Sequence, residues 1–247
     1  MREKQILPLV VVALTGALVA VVALWTLDRV DSPHGDLTQN DASGRQSALK
    51  VIEWKLVTTW PKGLPGLGAA PENFARRVNE ASGGRLRIKV FGAGEIVPAF
   101  EVFDAVSRGV AEAGHGASYY WKGKIPAAVF FTAVPFGMTA QEANGWLHYG
   151  GGLALWRELY APFGVIPYAG GSTGVQMAGW FNTRLNSRED LAGLKMRIPG
   201  LAGEVFDAAG GSAVRIAGGE VYTSMQTGVI DAVEWVGPFN DRTLGLM

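Results

Sequence analysis

The sequence predicts an α/β fold in which mainly parallel sheets are flanked by helices. Three observations carry that expectation. Short runs rich in Val, Ile and Trp, or strictly alternating, recur along the chain. Segments of helical period separate them, and Gly or Pro marks the joints. The second half shows the same α/β habit as the first without repeating its sequence.

Val51 to Thr58 (VIEWKLVT) reads as the first strand, ended by Trp60-Pro61 and a Gly/Pro loop to Pro71. Glu72 to Ala81 reads as a helix with Phe74, Ala75 and Val78 on its apolar face, stopped by Gly83-Gly84. Arg85 to Phe91 alternates Leu86, Ile88 and Val90 with Arg85, Arg87 and Lys89, the pattern of a half-buried strand. Ala99 to Ala113 is expected as a second helix facing inward through Phe103, Val106 and Val110. Parallel sheets collect ligands at the carboxyl ends of their strands. The cluster Tyr119-Tyr120-Trp121 falls at such a position and is a candidate pocket wall, although packing explains any single ring there equally well.

Thr139 with Glu142 three residues on forms a capping-box pattern opening a helix to Tyr149. A Gly triplet at 150–152 separates it from a helix over Leu153 to Tyr160. Trp146 and Trp156 on these helices are expected to pack in the core. Further strands are expected at Val165 to Ala169, Val175 to Phe181, Leu194 to Ile198 and Ala213 to Ile216, with a last one ending at Trp235. Helical segments are expected at 188–191, 201–209 and 219–227.

Composition narrows the function. The 247 residues carry 22 basic and 22 acidic side chains, a balance that gives no support for nucleic-acid binding. Cysteine is absent, so disulfides, thiol catalysis and Cys-ligated metal are excluded. His34, His115 and His148 lack metal-site spacing and read as surface or supporting residues. After a basic start, Leu7 to Trp25 runs for nineteen residues with Thr15 as its only polar side chain. That is the pattern of an N-terminal export signal peptide or a retained inner-membrane anchor, and it covers residues 1–27. Residues 28–50 read as a flexible spacer, placing the folded part in the periplasm.

The sequence offers no catalytic residues by pattern. There is no G-x-S-x-G elbow, no H-E-x-x-H and no phosphate-binding loop ending in Lys-Ser/Thr. Glu204 and Asp207 lie three apart on one expected helix, a spacing far more often solvated than catalytic. An exported enzyme is therefore the weaker alternative.

One stretch is more specific. Asn186 to Gly200 (NSREDLAGLKMRIPG) resembles the N-x-x-x-D-L-x-G-x-K-x-R signature of solute-binding proteins from tripartite ATP-independent periplasmic (TRAP) transporters, the DctP-like family. Gly92 to Val110 with Tyr119-Tyr120-Trp121 resembles the same family, as does Val221 to Trp235 (VYTSMQTGVIDAVEW), close to its E-x-Y-x-x-x-Q-x-G-x-x-D-x-x-E. Ala133 to Met138 (AVPFGM) and Tyr149 to Gly152 look like its branch that binds 2-oxo acids and other monocarboxylates. The resemblance spans residues 51–247, while family members usually continue for roughly a hundred residues more.

The resemblance implies a periplasmic-binding-protein-like fold of two α/β lobes with a ligand cleft between them, the first from 51–174 and the second from 175–247, both incomplete. It implies capture of a small carboxylate ligand and delivery to the small and large TRAP membrane permease subunits, with no enzymatic cofactor. Arg197 is the expected carboxylate clamp, since guanidinium grips a carboxylate bidentately. Gln176, Glu234 and the backbone carbonyl of Trp235 are the expected ligands of a bound sodium ion. Trp60, Tyr119, Tyr120, Trp180 and Phe181 are the expected apolar wall. Some members of the branch form a homodimer through the C-terminal helix. An anchored ligand sensor using the same fold is the alternative function.

Overall fold

The computed structural model describes residues 50–247; the apolar N-terminal run and most of the spacer lie outside the described residues. Strand β1 (Ile52–Thr58) is the centre of a first sheet, parallel to β2 (Leu86–Phe91) on one side and β3 (Ala113–His115) on the other. Helix α1 (Ala69–Ala81) crosses from β1 to β2 and covers one face, where Ala75 packs with Leu56 and Ile88. It starts one turn earlier than expected. Pro71 lies in the first turn, where its missing N–H costs no helical hydrogen bond.

The expected long helix from Ala99 to Ala113 is a correction. A 3-10 turn at Ala99–Glu101 leads into α2 (Val102–Ser107), which stops at Gly109 with φ +70°. The chain then turns into β3. Phe103 faces the core as expected, but Val110, beyond the break, is exposed.

A 3-10 turn over Ser118–Trp121 and another over Pro126–Phe131 follow, neither with a strong periodicity in sequence. Helices α3 (Ala140–Tyr149) and α4 (Gly152–Tyr160) form as expected. Thr139 closes the capping box: its N–H donates to Glu142 Oε2 at 2.8 Å, and its hydroxyl accepts from the Glu142 N–H. Trp146 and Trp156 sandwich the Phe131 ring, with centroids 5.5 and 5.2 Å away. Val165 to Ala169 does not join a sheet. Pro167 there lacks the N–H a ladder needs, and Gly170-Gly171 follows.

The second sheet has the order β4-β7-β5-β6, formed by β4 (Trp180–Phe181), β5 (Lys195–Arg197), β6 (Ser212–Val214) and β7 (Ala232–Val233). Strand β4 is antiparallel to β7, and the other pairs are parallel. Of the extended stretch expected from Val175, only its last two residues pair as a strand. Helix α5 (Gly200–Ala208) links β5 to β6, and α6 (Val221–Gln226) precedes β7. The ladder of β7 extends beyond its two paired residues: the Asp231 N–H donates to Lys195 O at 2.8 Å and the Glu234 N–H to Arg197 O at 2.9 Å.

The two lobes share a core. One buried cluster takes Val57, Trp60, Tyr120 and Trp121 from the first lobe and Val221, Ile230, Val233 and Trp235 from the second. Leu194, Met196, Phe206 and Ala232 form a separate cluster within the second lobe. None of the described helices is long and apolar enough to cross a membrane.

Candidate functional site

All the elements that matter present their carboxyl ends to one region. Strands β5 and β7 lie side by side with Arg197 opposite Val233, so Arg197 and the residues just past β7 are neighbours by register alone. Arg197 is 2% exposed, the largest of the fully buried side chains. An unsolvated guanidinium must find acceptors, and it does. Its Nε donates to Ile216 O at 3.2 Å, Nη1 to Glu234 O at 2.7 Å and to Glu234 Oε2 at 3.3 Å, and Nη2 to the Tyr120 hydroxyl at 3.1 Å. Its plane also lies over the Trp235 ring, 4.5 Å from the centroid. Four of five N–H groups are thus engaged by the protein itself, which holds the cation in place.

Trp235 can approach so closely because Gly218 has no side chain: a Cβ there would lie 2.5 Å from Trp235 Cη2. Glu234 is pulled two ways. Burial raises its pKa to about 7, outweighing the lowering by Arg197, and Asp241 raises it further. A salt bridge at 3.3 Å therefore does not keep this carboxyl fully ionised at neutral pH.

Gln176 completes the group. Thr173 Oγ1 lies 2.7 Å from the Gln176 amide nitrogen, which leaves the amide oxygen turned toward Glu234 Oε1 and the Trp235 carbonyl. Rotated by half a turn, the amide donates to Trp235 O at 3.2 Å and Glu234 Oε1 at 2.7 Å, and accepts from Thr173. The first orientation gathers an amide, a carboxylate and a carbonyl oxygen, which is a donor set for a hard cation. The second satisfies the group with protein hydrogen bonds alone. The residues fit a cation, and Thr173, which sequence reasoning missed, supports either orientation. Among the described residues no group of three His, Asp or Glu gathers as a metal cluster.

The first lobe brings aromatic rings to the same region. Trp60 follows β1 and is buried, tilted toward Tyr120 at 6.4 Å and edge-on to His115 at 5.1 Å. Tyr119 lies T-shaped on Tyr120, and burial holds its hydroxyl pKa well above the ordinary value. Gly200, with φ +70°, lets α5 begin against the Tyr119 ring. His115 is not a stray surface residue. Burial lowers its pKa to about 4, and its Nδ1 has no hydrogen-bond partner.

Trp180 and Phe181 are placed differently. The Trp180 indole donates to Asp241 Oδ2 at 2.7 Å, and its ring packs against the shared core. Phe181, on the opposite face of β4, packs with Leu194 and Met196 in the second lobe's own cluster. No hydrogen bond or ring contact joins either of them to Arg197. Asp241 was also missed. It is fully buried and accepts from the Val236 and Gly237 N–H groups at 3.1 and 3.0 Å, pinning the chain just after Trp235.

The family model for bacterial extracellular solute-binding proteins of family 7, DctP, matches residues 56–244. The chain belongs to the DctP family. A curated relative, the monocarboxylate 2-oxoacid-binding periplasmic protein of Nostoc sp., is 49% identical over 209 residues, 85% of this chain and 57% of that protein. Among solved structures, the TRAP periplasmic solute-binding protein of Pseudoalteromonas atlantica with bound sodium and pyruvate is 48% identical. Its TM-score is 0.77, covering 80% of this chain and 60% of that one. The Colwellia psychrerythraea protein with bound calcium and pyruvate is 47% identical, with TM-score 0.77 and the same coverage of 80% and 60%. This DctP-family chain thus spans about six tenths of the length of the relatives it matches.

Proposed function

We propose that this protein is an extracytoplasmic solute-binding protein that captures a small monocarboxylate, a 2-oxo acid such as pyruvate, and delivers it to a TRAP membrane permease. The observation that carries the reading is the buried Arg197, held between Tyr120 of the first lobe and Glu234 of the second. Relatives that are nearly half identical hold pyruvate with sodium or calcium, which supports the ligand class. Arg197 would take the carboxylate. Gln176, Glu234 and the Trp235 carbonyl would hold the cation, whose charge would offset part of the ligand's. Trp60, Tyr119 and Tyr120 would line the wall. We assign residues 51–174 and 175–247 to the two lobes. Residues 1–27 would export the protein to the periplasm. In this reading the site holds and releases its ligand and breaks no bond.

Calorimetric titration of the protein with pyruvate, with and without sodium, tests the reading. Saturable binding is expected, weaker without sodium and reduced at least roughly a hundred-fold in Arg197→Lys, whose ammonium cannot make the bidentate contact. A cooperatively folded protein that binds no monocarboxylate in either condition would overturn it.

A further inference from the structure

A second arginine reaches the same tyrosine. Arg215 follows β6, the neighbour of β5 in the second sheet, and stands at the rim rather than in the interior. Its Nη1 donates to the backbone carbonyl of Tyr120 at 2.8 Å, and its guanidinium lies 4.4 Å from the Phe100 ring centroid. Phe100 in turn packs on the Tyr120 ring at 4.9 Å. Tyr120 and Phe100 belong to the first lobe. Tyr120 is therefore gripped at both ends from across the cleft, by Arg197 at its hydroxyl and by Arg215 at its carbonyl.

The two grips differ in what they cost to open. Arg197 is buried and shares its donors with Glu234 and Ile216, both in its own lobe. Both contacts of Arg215 cross the cleft, so they exist only while the lobes are together. An exposed guanidinium returns readily to water, which makes such a contact reversible. Its hydrogen bond also fixes the backbone from which the Tyr120 side chain springs, and so the position of the hydroxyl facing Arg197.

We propose that Arg215 is a positioning residue that latches the second lobe onto Tyr120 and Phe100 and thereby sets how long the closed cleft retains its ligand. For its ligand arm the inference rests on the function proposed above. Its conformational arm does not.

The absence of native cysteine allows a clean test. Dyes placed at Arg77→Cys on α1 and Glu189→Cys before β5 report the distance between the lobes by energy transfer. Without ligand, Arg215→Ala is expected to shift the population toward longer distances, with Arg215→Lys between it and the parent. With pyruvate, the dissociation rate should rise roughly ten-fold in Arg215→Ala while the association rate stays within about two-fold. Unchanged distances together with an unchanged dissociation rate would overturn the latch. So would a lowered melting temperature without any change in distance, since that would make Arg215 merely structural. If the parent protein binds no pyruvate, the proposed function fails, and the unliganded distances still decide the latch.

Discussion

The two sides of the cleft are built from different materials. The first lobe contributes rings: Trp60, Tyr119 and Tyr120, placed by the ends of β1 and β3 and packed on one another. The second contributes charge and oxygen: Arg197 at the end of β5 and Glu234 with the Trp235 carbonyl just past β7, with Gln176 beside them. On each side burial also shifts a titratable group, with opposite consequences. Burial holds His115 neutral down to about pH 4 on the first side and holds Glu234 protonated up to about pH 7 on the second. The lesson is that the polar side is the strained one. Arg197 and the Glu234 carboxyl support each other at 3.3 Å, while Arg197 also relies on neutral acceptors, Ile216 O, Glu234 O and the Tyr120 hydroxyl. The aromatic side is stabilised by packing instead.

The largest effect is therefore expected where that mutual support is removed. Arg197→Ala takes the only cation that contacts Glu234 among the described residues and leaves the Glu234 carboxyl buried without it. Breaking a buried pair costs about 3–5 kcal/mol. Here Glu234 escapes part of that cost by taking up a proton, so the loss should be smaller at pH 5 than at pH 8. Urea unfolding at the two pH values reads the difference. Equal losses would mean that removing Arg197 does not change how Glu234 titrates between these two pH values.

Much of this arrangement was legible in the sequence, and the exceptions share a cause. Strands β1, β2 and β5 declare themselves by composition or alternation, and the capping box of α3 by Thr139 and Glu142. Arg197, Gln176, Glu234 and Trp235 were singled out because their surroundings resemble a family pattern, and the fold brings all four together. What could not be read was local geometry decided by distant partners. The helix from Ala99 broke because Gly109 turned left-handed into β3. Trp180 and Phe181 are adjacent in sequence, yet alternation on β4 sends them to different cores, one pinned by Asp241 sixty-one residues away. Arg215, Thr173 and Asp241 bear no local signature at all, since each acts through a backbone atom or side chain of another element.

The pH contrast between the sides can be sharpened directly. Glu234 has a folded pKa raised above its ordinary 4.5, so the stability it allows is full below that value and is lost as pH rises toward and through about 7. His115 has a folded pKa lowered from 6.5, so its contribution is full above 6.5 and is lost as pH falls toward about 4. Each amounts to at most roughly 3–4 kcal/mol at about 1.4 kcal/mol per unit of pKa. Without ligand, Glu234→Gln is expected to flatten the decline in melting temperature between pH 5 and 8. His115→Asn should flatten the decline between pH 6.5 and 4 and leave the upper range alone. If both variants change the same range, the two groups are coupled across the cleft rather than governed separately by burial.

The smallest effect belongs to the contact that looks strongest on paper. Lys122 of the first lobe pairs with Glu204 on α5 of the second, an ion pair across the same cleft that Arg215 spans. Yet its side chains are 35% and 55% exposed, and two long chains must be ordered to make it. Exposed pairs of this kind contribute little, about 0–1 kcal/mol, and are screened by salt. Lys122→Ala should therefore leave the unliganded interlobe distances close to the parent's and the ligand dissociation rate within about two-fold of it. Raising the salt concentration should erase even that difference. Arg215→Ala, at a contact with a backbone carbonyl and an aromatic face, should keep its effect in the same salt, because neither partner carries a charge that salt can screen. If Lys122→Ala opens the lobes as far as Arg215→Ala does, closure is held by net charge attraction across the cleft. The particular grip on Tyr120 would then lose its special place.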